Sequence, residues 1–371
     1  MKRKLNPILV LSLLALLALI LAACAAAAEP TAEEAEMEEM EAPVEEEEAA
    51  AEEEPMEEAE IVVPEGGQPQ GTLYGEDNRL DICVGDEFDA NEPGQDCAGS
   101  AFIQDDTLLA MSSSVAMLVR PAALQTGSDG VVTLNAFTLN ERVERVYGAP
   151  LCSAQRFADQ LAPGFCTGFL IDDQLLLTSA HCIPSAAACE NTRFVFGYQM
   201  NMAGEAGTLT DNNVYACDSL EAIVQDQTTL MDYALVRLDR PTGLPGLVLT
   251  EEAAAFDEEL ASLGHPSGLP MKIATGAWVL EADAEKPYFV ASLDVFAGSS
   301  GSPVIDMQTY TVKGMLMGGE EDYVLTKEGC YAVKVCDLEG NDCTGEAALK
   351  VTHILADLRE FLPIGTPIPT P

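Results

Sequence analysis

Histidine is scarce in this chain, with three among 371 residues. Any chemistry that needs an imidazole must draw on His181, His265 or His353, and three are too few for the usual zinc ligand sets. No CxxC pair occurs to supply thiolates instead, so neither a metal nor another cofactor is expected. Positive charge is also short: 18 Lys and Arg stand against 62 Asp and Glu, a formal net charge of −44. Nucleic acid and anionic lipid would be repelled by such a chain and are not expected as partners. Internal repeats and βαβ alternation are missing too, which leaves no signature of a solenoid or of a parallel α/β sheet.

What is present begins with MKRK, an apolar run from Ile8 to Leu21, and then Leu21-Ala22-Ala23-Cys24. Cations, an apolar stretch and small residues make an export signal, here residues 1–23. LAAC resembles the bacterial lipobox, which implies cleavage before Cys24 and acylation of that cysteine. The rival reading is a retained spanning helix, since the apolar run continues through Ala28. Either way the rest of the chain is exported, to a bacterial cell surface or periplasm. Residues 29–60 carry seventeen glutamates and no Lys or Arg. Such a segment cannot bury enough apolar surface to offset its ordering entropy, so 24–70 reads as a disordered acidic tether. Residues 71–108 read as an irregular extension without a legible role, and 364–371 as a Pro-rich tail.

Apart from Cys24, ten cysteines remain, and an even number in an exported chain suggests disulfides. Between the turns lie short runs rich in branched and aromatic residues: 113–120, 168–180, 192–200, 232–238, 277–282, 288–295 and 310–318. Two stretches have a helical look, 251–263, which equally reads as a loop leading into a strand, and 345–362. The fold class is all-β, a barrel or sandwich with a closing helix.

Within that β-rich chain stand LLLTSAHCI (175–183), MDYALVRLDR (231–240) and FAGSSGSPVID (296–306), a histidine, an aspartate and a serine in that order. A serine hydroxyl is a poor nucleophile until a base is positioned beside it. α/β-Hydrolases run Ser, Asp, His and place G-x-S-x-G on a strand-to-helix elbow, and Gly298-Ser299-Ser300-Gly301-Ser302 lacks the final glycine. The alternative bases are His265, in a Pro-Gly loop, and His353, on the apolar stripe of the last helix. Asp226 and Asp239 are alternatives to Asp232, but only Asp232 begins an apolar strand.

TSAHC, DYALVRL and GSSGSPV resemble the histidine, aspartate and nucleophile boxes of the trypsin-like (chymotrypsin-fold) serine peptidases, and more narrowly the bacterial glutamyl endopeptidase branch. The likeness covers roughly residues 110–362 and implies a peptidase domain over 109–363 built of two six-stranded antiparallel β-barrels with a C-terminal helix. It implies His181, Asp232 and Ser300 as the catalytic triad and the backbone amides of Gly298 and Ser300 as the oxyanion hole. Cys166-Thr-Gly-Phe-Leu resembles the family's C-x-G-x-L strand, which implies a Cys166–Cys182 disulfide. Eight cysteines then remain, and Cys189–Cys217 and Cys83–Cys97 are the favoured further pairs.

The resemblance also places substrate-binding positions at Asp294, Val295, Leu316, Met317 and Gly318. Glutamate-selective relatives carry a histidine and a threonine where this chain has Leu316 and Val295, so a buried substrate carboxylate would lack donors. Asp294 stands six residues before Ser300, where trypsin keeps its Lys- and Arg-selecting aspartate; bacterial relatives can have an aspartate there without that preference. Ser299 replaces the aspartate that receives the new N-terminal amine in digestive relatives, so that activation switch is not expected. The reading is a monomeric serine endopeptidase, lipid-anchored and acting on polypeptides, against the alternatives of a catalytically silent surface protein that uses the fold for binding and of an esterase.

Overall fold

The computed structural model describes residues 73–84, 105–201, 204–336 and 343–361. The expected signal segment, Cys24, the acidic tether, the Pro-rich tail and Cys97 lie outside the described residues. Two short strands come first, β1 (Leu73–Tyr74) and β2 (Arg79–Asp81). Helix α1 (Asp106–Ser112) follows, its first amides capped by the Asp105 carboxylate.

The first barrel is built from β3 (Val115–Val119), β4 (Gly164–Leu170), β5 (Leu175–Thr178), β6 (Arg193–Phe196), β7 (Val214–Asp226) and β8 (Met231–Leu238). All its pairings are antiparallel, in the ring order β3-β4-β5-β8-β7-β6 with β6 returning to β3. The second contains β9 (Glu259–Gly264), β10 (Lys272–Glu281), β11 (Tyr288–Ala291), β12 (Pro303–Asp306) and β13 (Val312–Gly318). After β14 (Val335–Cys336), which pairs in parallel with β1, β15 (Glu346–Lys350) completes it. The ring runs β9-β12-β13-β15-β11-β10 and closes from β10 to β9, while β2 adds a further antiparallel strand on the outside of β10. The fold is therefore two closed six-stranded antiparallel barrels with few helices, a trypsin-like architecture.

The continuous apolar runs of β5, β8 and β13 are explained by burial on both faces. In β8, Ala234, Val236 and Leu238 face the first barrel's core, and Tyr233 and Leu235 join the layer between the barrels. In β13, Leu316 enters the second barrel's core while Met315 and Met317 join that same layer. Alternation of side chains along a strand puts the two sets on opposite faces.

The stretch 345–362 is only partly helical. Residues 346–350 form β15 because Ala348 and Leu349 fill cores on opposite faces, and α3 (Val351–Leu358) starts afterwards. The stretch 251–263 is a loop that enters β9. Helices absent from the sequence reading include α1 and α2 (Leu139–Tyr147); α2 carries a capping box between Thr138 and Glu141 and ends at left-handed Gly148. Four disulfides occur among the described residues: Cys152–Cys330, Cys166–Cys182, Cys189–Cys217 and Cys336–Cys343. No helix of the described residues is long and apolar enough to cross a membrane.

Candidate active site

Register alone brings two of the candidate residues together. Ala234 of β8 faces Thr178 of β5, so Asp232, two residues before the one, lies beside the turn that carries His181, three residues after the other. The Asp232 carboxylate then binds His181 twice: Oδ2 lies 2.6 Å from Nδ1, and Oδ1 accepts the His181 backbone amide at 3.0 Å. With Nδ1–H donated to the carboxylate, Nε2 keeps its lone pair, as a general base requires. Both side chains are 15% exposed.

Ser300 sits in the loop between β11 and β12, sewn to both barrels. Its carbonyl accepts the Thr167 amide of β4 at 2.9 Å, and the Gly301 amide donates to the Leu316 carbonyl of β13 at 2.7 Å. The Thr167 hydroxyl donates to the Gly298 carbonyl at 2.9 Å and accepts the His265 amide. Two glycines are required. Gly301 has φ +86°, and a Cβ there would lie 2.1 Å from the Thr167 carbonyl oxygen; Gly298 has φ +93°, and a Cβ would meet the backbone of residues 265 and 268 at 2.9 Å. Neither the Gly298 nor the Ser300 amide has a hydrogen-bond partner among the described residues. The Ser300 hydroxyl donates to the Met317 carbonyl at 3.4 Å.

The alternative bases and acids lie elsewhere. His265 is fully buried, its Nδ1 on the Leu269 carbonyl at 2.9 Å, and burial pushes its pKa down to about 3, which keeps it neutral. His353 is exposed on α3, on the side of the helix opposite the apolar stripe. Asp226 is exposed and caps the amides of Thr228 and Thr229, and Asp239 pairs with Arg240.

The expected substrate-binding residues divide. Val295 and Leu316 pack in the core of the second barrel. Met317 and Gly318 end β13 next to the Ser300 loop. The Asp294 carboxylate, 2% exposed, accepts the amides of Tyr74 and Asn78, each at 2.8 Å. Burial raises its pKa to about 6 against those two hydrogen bonds. Two clusters have metal-like spacing among the described residues, Cys166-His181-Cys182 and Glu320-Cys336-Cys343. Each contains a disulfide, so its sulfurs are not thiolate ligands.

Sequence reasoning missed three supports of the loop. Thr167 was visible only as the x of C-x-G-x-L. Asp322, whose carboxylate takes the Ala297 amide at 2.9 Å, follows an acidic turn with no motif. The residues on Asp294 come from the extension that carried no legible role.

Residues 166–315 match the family model described as a trypsin-like peptidase domain, and those residues contain all three boxes. A curated relative, a pro-apoptotic serine protease of Chaetomium globosum, is 24% identical over 247 residues, 60% of this chain. The chain spans 22% of that relative's length. Among solved structures, a Glu endopeptidase in complex with MPD is 15% identical, with coverage of 78% of this chain and 98% of its own and a TM-score of 0.43. The VesB protease of Vibrio cholerae is 14% identical, covering 67% of this chain and 64% of its own at a TM-score of 0.41.

Proposed function

We propose that this protein is a serine endopeptidase using His181, Asp232 and Ser300, exported and held at a bacterial membrane through a lipid on Cys24. The observation that carries the reading is the doubly bonded His181–Asp232 pair beside a serine loop with two unpartnered amides. In acylation the Ser300 hydroxyl leaves the Met317 carbonyl and attacks the scissile carbonyl carbon, and its proton passes to His181 Nε2. The carbonyl oxygen becomes an oxyanion facing the Gly298 and Ser300 amides. Collapse breaks the C–N bond, and the leaving amine takes the proton from His181. Water, deprotonated in the same way, then releases the acyl group and regenerates Ser300. Asp232 fixes the imidazole tautomer and stabilises the imidazolium throughout.

Val295 and Leu316 both pack in the core of the second barrel and are themselves apolar, so neither side chain offers a donor to a substrate carboxylate. The deduced organisation is a signal over 1–23, a tether over 24–70, the peptidase domain over 109–363 and a monomeric state. Labelling with a fluorophosphonate probe tests the chemistry. The parent labels, Ser300→Ala does not, His181→Ala labels far more slowly, and casein is cut by the parent alone. A folded parent that neither labels nor cuts would sink the enzyme and favour a silent binding protein; ester turnover without casein cleavage would favour an esterase. Incorporation of labelled palmitate that is lost in Cys24→Ser tests the anchor.

A further inference from the structure

The oxyanion amides belong to a loop that has no regular structure between β11 and β12, so something must hold residues 293–299 in shape. Part of the answer is local: the Ser299 amide donates to the Phe296 carbonyl at 2.8 Å, and Asp322 takes the Ala297 amide. Thr167, through the Gly298 carbonyl, and Ser267, whose amide donates to the Ala297 carbonyl, add further holds. The front of the loop is held from more than two hundred residues away in sequence. The amides of Tyr74 and Asn78 converge on the two oxygens of Asp294, and the Arg79 guanidinium lies 3.9 Å from the centre of the Phe296 ring and 5.1 Å from that of Phe157. Asp294 and Phe296 are the loop's own residues, four and two positions before Gly298.

The segment that supplies these contacts is itself fixed at both ends. β1 pairs with β14, whose Cys336 is bonded to Cys343, and β2 pairs with β10. Between them Asp77 holds Arg79 at 2.8 Å, and Arg156 donates to the carbonyls of Asp77 and Arg79. Burial pushes the Asp77 carboxyl up, but the Arg79 hydrogen bonds and the charges of Arg79 and Arg156 outweigh it and hold it below the usual range. A buried Lys272–Asp81 pair at 2.6 Å closes the far end. Arg79, 1% exposed, is thus neutralised, stacked and unable to swing away.

We propose that residues 73–79 are a positioning strap: through Asp294 and Phe296 they hold the loop that presents the Gly298 and Ser300 amides, and turnover depends on them. Asp294 is then a positioning residue whose oxygens are already taken by backbone amides, and it does not read the substrate. The inference rests on the serine-peptidase reading above. It gives the extension a task in a chain where Ser299 leaves no aspartate just before the nucleophile.

The test uses the full chain with Asp294→Ala, and Asp294→Asn as the isosteric variant that keeps one acceptor. Initial rates are measured on three peptide substrates that differ only in Lys, Glu or Leu before the scissile bond, and normalised to folded protein by circular dichroism. For Asp294→Ala, kcat and the rate of fluorophosphonate labelling should fall on the order of a hundredfold for all the substrates alike, with KM nearly unchanged. Asp294→Asn should recover part of that loss. A loss confined to the Lys substrate, or carried by KM, would mean that Asp294 reads the substrate and would overturn the strap. So would variants with lowered melting temperature but full kcat per folded molecule. If Asp294→Ala does not fold, Asp294→Asn alone decides between the same outcomes. A folded parent that never labels removes the peptidase reading and the strap with it, whereas a labelling parent with equally labelling variants removes the strap only.

Discussion

The two halves of the site are held in opposite ways. Asp232 stands on β8 and His181 in the turn that follows the neighbouring β5, and the pairing of Ala234 with Thr178 already sets their separation. Ser300 and the unpartnered amides of Gly298 and Ser300 stand on a loop whose shape is imposed from outside, by Thr167 of the other barrel, by Asp322, and by Tyr74, Asn78 and Arg79 of the extension. A site half built on strands and half on a supported loop separates two failures. On the proposed mechanism, damage to the first half removes the base, and damage to the second leaves the base in place but misaligns the electrostatic donors.

The largest effect sharpens the first half. In Asp232→Asn the carboxamide no longer selects the Nδ1–H tautomer, and kcat should drop about ten-thousand-fold while the fold persists, since Asn fills the same volume. Rate measurements beside thermal melting check this. Full activity in a folded Asp232→Asn would remove Asp232 from the mechanism.

How much of this was legible follows the same division. The His and Asp boxes are contiguous runs on strands, and strands buried on both faces leave continuous apolar letters such as LLLT and ALVRL. The all-β class came from the same signal, and the two-barrel architecture from the resemblance alone. What was not legible depends on distant residues. Nothing in TLYGEDNRLD (72–81) marks Tyr74 and Asn78 as donors to a carboxylate more than two hundred residues on, because backbone amides leave no letter in a sequence. Residues 345–350 read as helix because GEAALK has good helix formers, but tertiary packing of Ala348 and Leu349 into two cores outweighs that preference. The helix α2, by contrast, carried its capping box in plain letters, Thr138 and Glu141.

Breaking a cross-link further from the chemistry should act on stability first. Cys152–Cys330 ties the region after α2 to the segment before β14 across 178 residues. Replacing both cysteines by Ala should cost about 2–5 kcal/mol of stability, read by denaturant unfolding. An unchanged midpoint would mean that the surrounding packing suffices.

Asp294 and Glu346 make the second barrel sensitive to pH. Burial raises Asp294 to about 6, and burial with the charges of Asp322 and Glu320 raises the Glu346 carboxyl well above the usual range. A carboxyl whose folded pKa exceeds its unfolded one binds more protons when folded, so its contribution to stability is complete below the unfolded pKa and is lost as pH rises through the folded one. For Asp294 the loss is about 3 kcal/mol, spread between roughly pH 4 and pH 6. Asp294→Asn should flatten that fall in melting temperature and Glu346→Gln the part above it; an unchanged slope in both would sink the assignment.

Thr167 is where the two halves meet, and its removal should be milder. Thr167→Val keeps the shape but deletes the hydroxyl between the Gly298 carbonyl and the His265 amide, costing about 1–3 kcal/mol for the buried groups left unpaired. Because the Gly298 carbonyl belongs to the loop, kcat should fall with stability, whereas a stability loss alone would confine Thr167 to joining the barrels.

The smallest effect is expected on the first barrel's outer face. Glu221 of β7 and Arg237 of β8 are joined at 2.7 Å across the strand pair, and the hydrogen bonds from Ser219 and then Arg237 hold the Glu221 carboxyl below its usual range. Both side chains reach solvent, so water and salt screen the pair, and Glu221→Gln should change stability by no more than about 1 kcal/mol. Its kcat should not move, because Asp232 is placed by the backbone pairing of β8 with β5 and by its own pairing with Gln225 of β7, neither of which needs the Glu221 side chain. A fall in kcat without loss of stability would mean that this hairpin transmits strain to Asp232, and the division between a strand-held and a loop-held half would have to be redrawn.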